Sequence, residues 1–256
     1  MRKLLLFIGM SALSMACSSD AATSDDSSSQ GLVTIACSTT NEITVTRTDV
    51  NCTIPTAEEF SLRIEGISLQ YDSSWQTIAA FNADNYLNAG SYKAVVEAGD
   101  ITEEGYDKAT FRGEQTFTVA AREQTSVDIK AYIANSLVKV DLTDNFRRYF
   151  TGGWQLTLTT AAGNSFDVST PSDQPIFMAP ESFSITGKAT KQPNTSGGSG
   201  IEVVLPEMSR DRLAAQTLYT VTFDVSTAGG ATLEILLNDT PVESITIDNE
   251  LNDNAQ

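Results

Sequence analysis

Over most of this chain the apolar residues recur at every second position, a period that restricts it to sheets whose strands bury one face. The pattern runs through Thr44-Val45-Thr46, Phe60-Ser61-Leu62-Arg63-Ile64, Tyr92-Lys93-Ala94-Val95-Val96, Thr116-Phe117-Thr118-Val119 and Ser126-Val127-Asp128-Ile129. It returns in Leu137 to Leu142, Trp154 to Leu158, Phe183 to Thr186, Ile201 to Leu205, Tyr219 to Val225, Thr232 to Leu237 and Ser244 to Ile247. Turn compositions such as Asn-Ala-Gly, Glu-Ala-Gly-Asp and Glu-Glu-Gly separate the runs. Tyr71-Asp72-Ser73-Ser74-Trp75 reads as a hairpin turn with flanking aromatics. Only two stretches read as helix: Thr143 to Phe150, with Asp144 as its cap, and Ser209 to Ala215. Many short strands at this spacing predict an all-β chain built as sandwiches.

A repeat divides the strands into two sets. Tyr86-Leu87-Asn88-Ala89-Gly90-Ser91-Tyr92 matches Ile176-Phe177-Met178-Ala179-Pro180-Glu181-Ser182-Phe183 in kind: an apolar strand end, a tight turn and a returning strand. The boundary is expected at Ala134-Asn135-Ser136, giving one β-sandwich over 31–134 and a second over 135–256. Asn194 to Gly200 reads as a flexible loop tip inside the second.

The first 30 residues do not belong to either sandwich. Residues 1–16 have the three zones of a secretory signal: Arg2 and Lys3, an apolar run through Leu4-Leu5-Leu6-Phe7-Ile8, then small residues. Leu13-Ser14-Met15-Ala16-Cys17 resembles a lipobox, which makes Cys17 the expected site of lipidation. Residues 17–30, rich in Ser and Asp, lack any apolar period and read as a tether between the lipid and the first strand. No later segment approaches the roughly 20 apolar residues of a transmembrane helix. The acidic residues behind Cys17 resemble an export signal to the outer face of the outer membrane.

Charge and cysteine content narrow the partners. The chain carries 16 basic and 33 acidic residues, and loss of Arg2 and Lys3 leaves 14 basic residues, a balance of −19. Such a charge disfavours nucleic acid and other polyanions. Cys37 and Cys52, separated by 14 residues, lie in a compartment where disulfides survive, so a bond between them and a pair of free buried thiols are both open. A closed loop of that size would contribute on the order of 3 kcal/mol.

The residues offer little for catalysis. The absence of His removes the usual general base, the Ser-His-Asp and Cys-His arrangements and the commonest metal ligand. Glu58-Glu59 and Glu103-Glu104 are adjacent acids, which point apart, whereas glycosidases need two carboxylates facing across a cleft. Asp248 to Asn254 offers oxygen atoms but lacks the Gly and closing Glu of a calcium loop. No enzyme, no metal and no cofactor are expected. Trp75, Trp154, Tyr71 and Tyr149 read as core aromatics, with a sugar-stacking platform as the alternative.

Several of these features together resemble the fimbrillin-like surface lipoproteins of Bacteroidetes and, more narrowly, a related lipoprotein-domain family. They are the lipobox, the strand opened by Gly31, the Leu87-Asn88-Ala89-Gly90-Ser91-Tyr92 turn, Gly105 to Gly113 leading into Phe117-Thr118-Val119, and Ala134 to Val140. The resemblance implies two tandem Greek-key, transthyretin-like β-sandwiches. It also implies assembly by strand exchange after cleavage behind an Arg near the N-terminus, for which Arg47 is the matching position. A Cys37–Cys52 bond would straddle that cut and hold the first strand in place. The expected role is structural or adhesive, at the cell surface on the outer membrane and anchored by lipid, as a fimbrium-related anchor, tip or accessory subunit. Partners would be other fimbrillin-like subunits or a host ligand; the alternative is a glycan-binding surface lipoprotein.

Overall fold

The computed structural model describes residues 29–43, 48–193, 198–226 and 231–248. The signal, most of the tether with Cys17, Thr44-Val45-Thr46, Arg47 and the acidic tail from Asn249 onward lie outside the described residues. The chain is all-β, with two short α-helices and one 3-10 turn among the described residues.

The first half runs β1 (Gln30–Thr39), β2 (Glu42–Ile43), β3 (Thr48–Asp49), β4 (Ser61–Gly66), β5 (Asp72–Trp75), α1 (Ile78–Asn82), β6 (Tyr86–Asn88), β7 (Gly90–Ala98), β8 (Gly105–Tyr106), β9 (Phe111–Val119) and β10 (Gln124–Ile133). Its larger sheet follows the order β5-β4-β7-β9-β10-β1-β6. β9 and β10 are registered only at Tyr132↔Arg112 and Ile133↔Phe111, so the sheet turns a corner there. The two layers, β5-β4-β7-β9 and β10-β1-β6, enclose Val33, Ile35, Leu62, Ile64, Ala94, Val96, Val127 and Ile129. Gly113 permits the corner: a Cβ there would lie 2.6 Å from the Lys130 carbonyl oxygen and 3.0 Å from Ala131 Cα.

The second half runs β11 (Ser136–Leu142), α2 (Asp144–Tyr149), β12 (Trp154–Thr160), β13 (Ser165–Asp167), β14 (Ile176–Met178), β15 (Ser182–Lys191), β16 (Ile201–Val204), β17 (Met208–Asp211), β18 (Thr217–Ser226), β19 (Ala231–Leu237) and β20 (Thr240–Asp248). One layer is β13-β12-β15-β16, with β17 sharing the β16 edge of β15; the other is β20-β19-β18-β11-β14-β8. A separate apolar cluster, with Phe146, Phe150, Leu158, Ile185, Val221, Phe223 and Ile235, fills the space between them.

The repeat seen in the sequence is a repeat of topology. β1 lies parallel to β10 and antiparallel to β6, as β11 lies parallel to β18 and antiparallel to β14. In each half the antiparallel partner turns through an Ala into a long strand, β7 or β15.

Three local readings need correction. Tyr71 to Trp75 is not a turn: Asp72–Trp75 forms β5, whose register on β4 includes Leu62↔Trp75. Ser209 to Ala215 is not a helix, because Met208–Asp211 pairs with β15 and Arg212 and Gln216 take φ of +56°. The helix α2 is capped by Thr143 and not Asp144: Thr143 Oγ1 accepts the Phe146 N–H at 3.1 Å.

Candidate functional site

The four aromatics read as core residues divide between the two cores, and no shared platform forms among them. Trp75 meets Phe81 edge-on at 4.9 Å and Tyr71 meets Tyr92 at 5.5 Å, whereas Trp154 packs on Phe146 at 5.5 Å and Tyr149 on Phe150 at 5.0 Å. The Trp154 indole N–H donates to the Ser169 carbonyl at 2.7 Å. All four belong to the packing of their own half.

Of the adjacent acids, Glu59, Glu103 and Glu104 each take a separate partner. Glu59 accepts from Thr56 N–H at 2.7 Å and Thr56 Oγ1 at 3.0 Å, closing a capping box, and these bonds hold its carboxyl below the ordinary range. Glu103 pairs with Lys108 at 2.8 Å. Glu104 turns the other way, into the second half: it accepts from Thr160 Oγ1 at 2.5 Å, Asn164 Nδ2 at 2.9 Å and the Ala179 N–H at 3.1 Å. No group of three or more metal-ligating side chains occurs among the described residues.

The disulfide left open by the sequence is not made. Cys37 and Cys52 are free thiols, both half-buried against the first core. Cys37 Sγ points at the Ser38 carbonyl, 3.8 Å away. Burial pushes its pKa up, with an opposing hydrogen bond from the Ala131 main chain. Burial, reinforced by the Asp107 carboxylate, pushes Cys52 up to about 11. Both therefore stay protonated near neutrality, in the form that does not attack sulfur.

The seam between the halves is where chemistry-bearing groups converge. β8, from the first half, adds to the second half's sheet through Ile176↔Tyr106 and Phe177↔Gly105. The strands β11 and β14 are buried on both faces at this point: Leu137 and Phe177 enter the first core, while Val138, Ile176 and Met178 enter the second. That explains why Ile176-Phe177-Met178 has no alternation. Asn135, fully buried, accepts the Thr110 N–H on Oδ1 at 2.6 Å and the Gln216 N–H on its carbonyl at 2.9 Å. Ser136 Oγ donates to the Ala214 carbonyl at 2.8 Å.

Beside this seam, at the β9–β10 corner, lies a cleft of about 390 Å³ bounded by Arg112, Glu114, Lys130, Tyr132, Ala134 and Gln216. Lys130 Nζ stands 5.2 Å from the Tyr132 ring centroid, a cation–π geometry. Arg112 is paired with Glu97 at 3.2 Å and Lys93 reaches Glu114 at 2.8 Å. The cleft thus offers an aromatic face, two cations, a carboxylate and main-chain polar groups. Sequence reasoning missed it, because Arg112 and Tyr132 become neighbours only through the β9–β10 register.

Among solved structures the chain is similar to several proteins from Bacteroides. A candidate cell adhesion protein from Bacteroides eggerthii shares 10% identity over 86% of this chain and 96% of its own, with a TM-score of 0.43. A candidate polysaccharide-binding protein (DUF1812) from Bacteroides thetaiotaomicron shares 9% over 86% and 100%, at 0.42. A candidate adhesin from Bacteroides thetaiotaomicron shares 11% over 86% and 98%, at 0.34. No curated protein matches. The model of the domain of unknown function DUF4493 matches residues 29–253, and the chain accordingly belongs to that family.

Proposed function

We propose that this chain is a cell-surface lipoprotein of structural or adhesive role, anchored in the outer membrane through Cys17 and acting as a fimbrium-related anchor, tip or accessory subunit. The observation that carries this reading is the position of β1. It is the first strand after the tether, yet it is an inner strand, flanked by β10 and β6 and contributing the buried Val33 and Ile35. Its removal would uncover the apolar side chains of β6 and β10, and an open groove of that kind recruits another strand. Arg47 lies in the segment joining β2 to β3, behind β1. Since Cys37 and Cys52 are free, no covalent link holds β1 after a cut there.

Size-exclusion chromatography after limited trypsin treatment tests it. The wild type should assemble once cut behind Arg47, with or without reductant, and Arg47→Ala should stay monomeric. Monomer peaks for both would reduce the assembly reading to a likeness of fold. Intact mass of the cell-derived protein tests the anchor, which requires an acylated Cys17.

A second reading, glycan binding, is favoured by the cleft at the β9–β10 corner, where Tyr132 supplies a stacking face and Arg112, Lys130 and Glu114 supply hydrogen bonds. A glycan array on the wild type and on Tyr132→Ala separates the two. Under either reading the chain has two structural domains, divided at Ala134, and no enzymatic activity. The chain has no His, and Glu59, Glu103 and Glu104 are each committed to a structural bond.

A further inference from the structure

Four segments meet at the pole of the first half that lies opposite the seam. The Ala89 N–H donates to the Ser29 carbonyl at 2.7 Å, Arg122 N–H to Gln30 at 2.7 Å, and Leu32 N–H to Glu123 at 2.9 Å, which binds the start of β1 to the 88–90 and 120–123 turns. The 67–70 loop joins them: Ile67 N–H donates to the Ser91 carbonyl at 2.9 Å, and Leu69 lies over Gly90, where an added Cβ would come within 2.4 Å of Leu69 Cδ1.

This pole combines two properties. It exposes apolar side chains, Ile67 at 57% and Leu69 at 41%, beside the exposed Ala89, Ala120 and Ala121. Its turns are also electrically neutral. The three turns hold one base, Arg122, and one acid, Glu123, in a chain whose net charge is −17. An exposed apolar patch costs solubility unless something covers it.

The chain outside the described residues indicates what covers it. Ser29 emerges at this pole, and Cys17 is twelve residues earlier, so the lipidation site can lie no further from it than about 40 Å. We propose that Ile67 and Leu69 seat this pole on the surface of the lipid bilayer, so that the second half points away from the membrane. The neutral turns approach the headgroups without the repulsion that the acidic flanks would meet, and two aliphatic side chains enter the interface beside the acyl anchor. The proposal rests on lipidation of Cys17.

The test uses the lipidated chain in phosphatidylcholine vesicles with brominated acyl chains, comparing Ile67→Trp with Val204→Trp, a site 75% exposed in the second half. Emission added over the wild type, which contains Trp75 and Trp154, should fall about twofold for Ile67→Trp, as expected for a side chain in the interfacial layer, and stay unchanged for Val204→Trp. A chain that floats with the vesicles but shows no quenching at position 67 overturns the seating and leaves the anchor intact. A chain that does not float overturns the anchor and the seating together. Emission that depends on protein concentration and ignores bromine would assign the patch to contact between copies, and would also overturn the proposal.

Discussion

The side-chain amide of Asn82 pairs with both main-chain polar groups of Ile35: Oδ1 accepts the Ile35 N–H at 3.1 Å and Nδ2 donates to the Ile35 carbonyl at 2.9 Å. One side chain thus extends the edge begun by β6 and by the Val33 N–H to Asn85 bond at 2.8 Å. Asn82→Ala should cost about 1–3 kcal/mol, the price of two orphaned groups on a largely buried strand. Asn82→Asp should be almost as damaging, because it removes the donor and puts a carboxylate oxygen against the Ile35 carbonyl. Urea unfolding measures both.

Glu104 is the carboxylate that ties the first half to the second. Glu104→Ala removes the acceptor of Thr160, Asn164 and Ala179 together and should lower stability by about 1–3 kcal/mol. The distinguishing readout is calorimetric: a single transition in the wild type should split or broaden as the halves uncouple. A variant with an unchanged, single transition would show that β8 and the shared packing of Leu137 and Phe177 couple them without it.

Cys52 should resist alkylation until the solution is strongly alkaline. Burial and Asp107 raise its pKa to about 11, so iodoacetamide labelling of the folded chain should rise steeply only above pH 10. Asp107→Asn should move that rise to lower pH by less than the whole shift, since burial is the larger cause. The sign for stability follows. The folded state binds this proton more tightly than the unfolded chain does, so stability is full below about pH 9 and falls as pH climbs from 9 toward 11.

Gly113→Ala should be destabilising by about 1–3 kcal/mol, the usual range for overpacking. The new methyl meets main chain on β10, which cannot move aside as a flexible side chain could. Thermal unfolding gives the magnitude.

The strands were legible because a half-buried strand writes its two faces into alternate residues, as Phe60 to Ile64 and Tyr219 to Val225 do. What escaped was set by partners distant in sequence. Gly105-Tyr106 is too short to show a period, yet it closes the edge of the second half's sheet. Arg210-Asp211-Arg212-Leu213-Ala214-Ala215 is made of helix formers, but the pairing Phe183↔Arg210 and the left-handed Arg212 and Gln216 outweigh that propensity. The α1 helix, with Thr77 Oγ1 accepting the Ala80 N–H at 3.1 Å, is too short for its period to register. Glu104 and the cleft around Tyr132 depend on three-dimensional neighbours that adjacency in the chain does not reveal.

The parallel pairing of β1 with β10 has a mechanical meaning for a protein held at one end. β1 starts at the pole next to Ser29, and β10 ends at the seam, where the chain passes into the second half. A pull between the two ends of the chain therefore runs along both strands in opposite senses. It loads the ladder from Leu32↔Gln124 to Thr39↔Ala131 in shear, so that its evenly spaced bonds must fail together and not by peeling one after another.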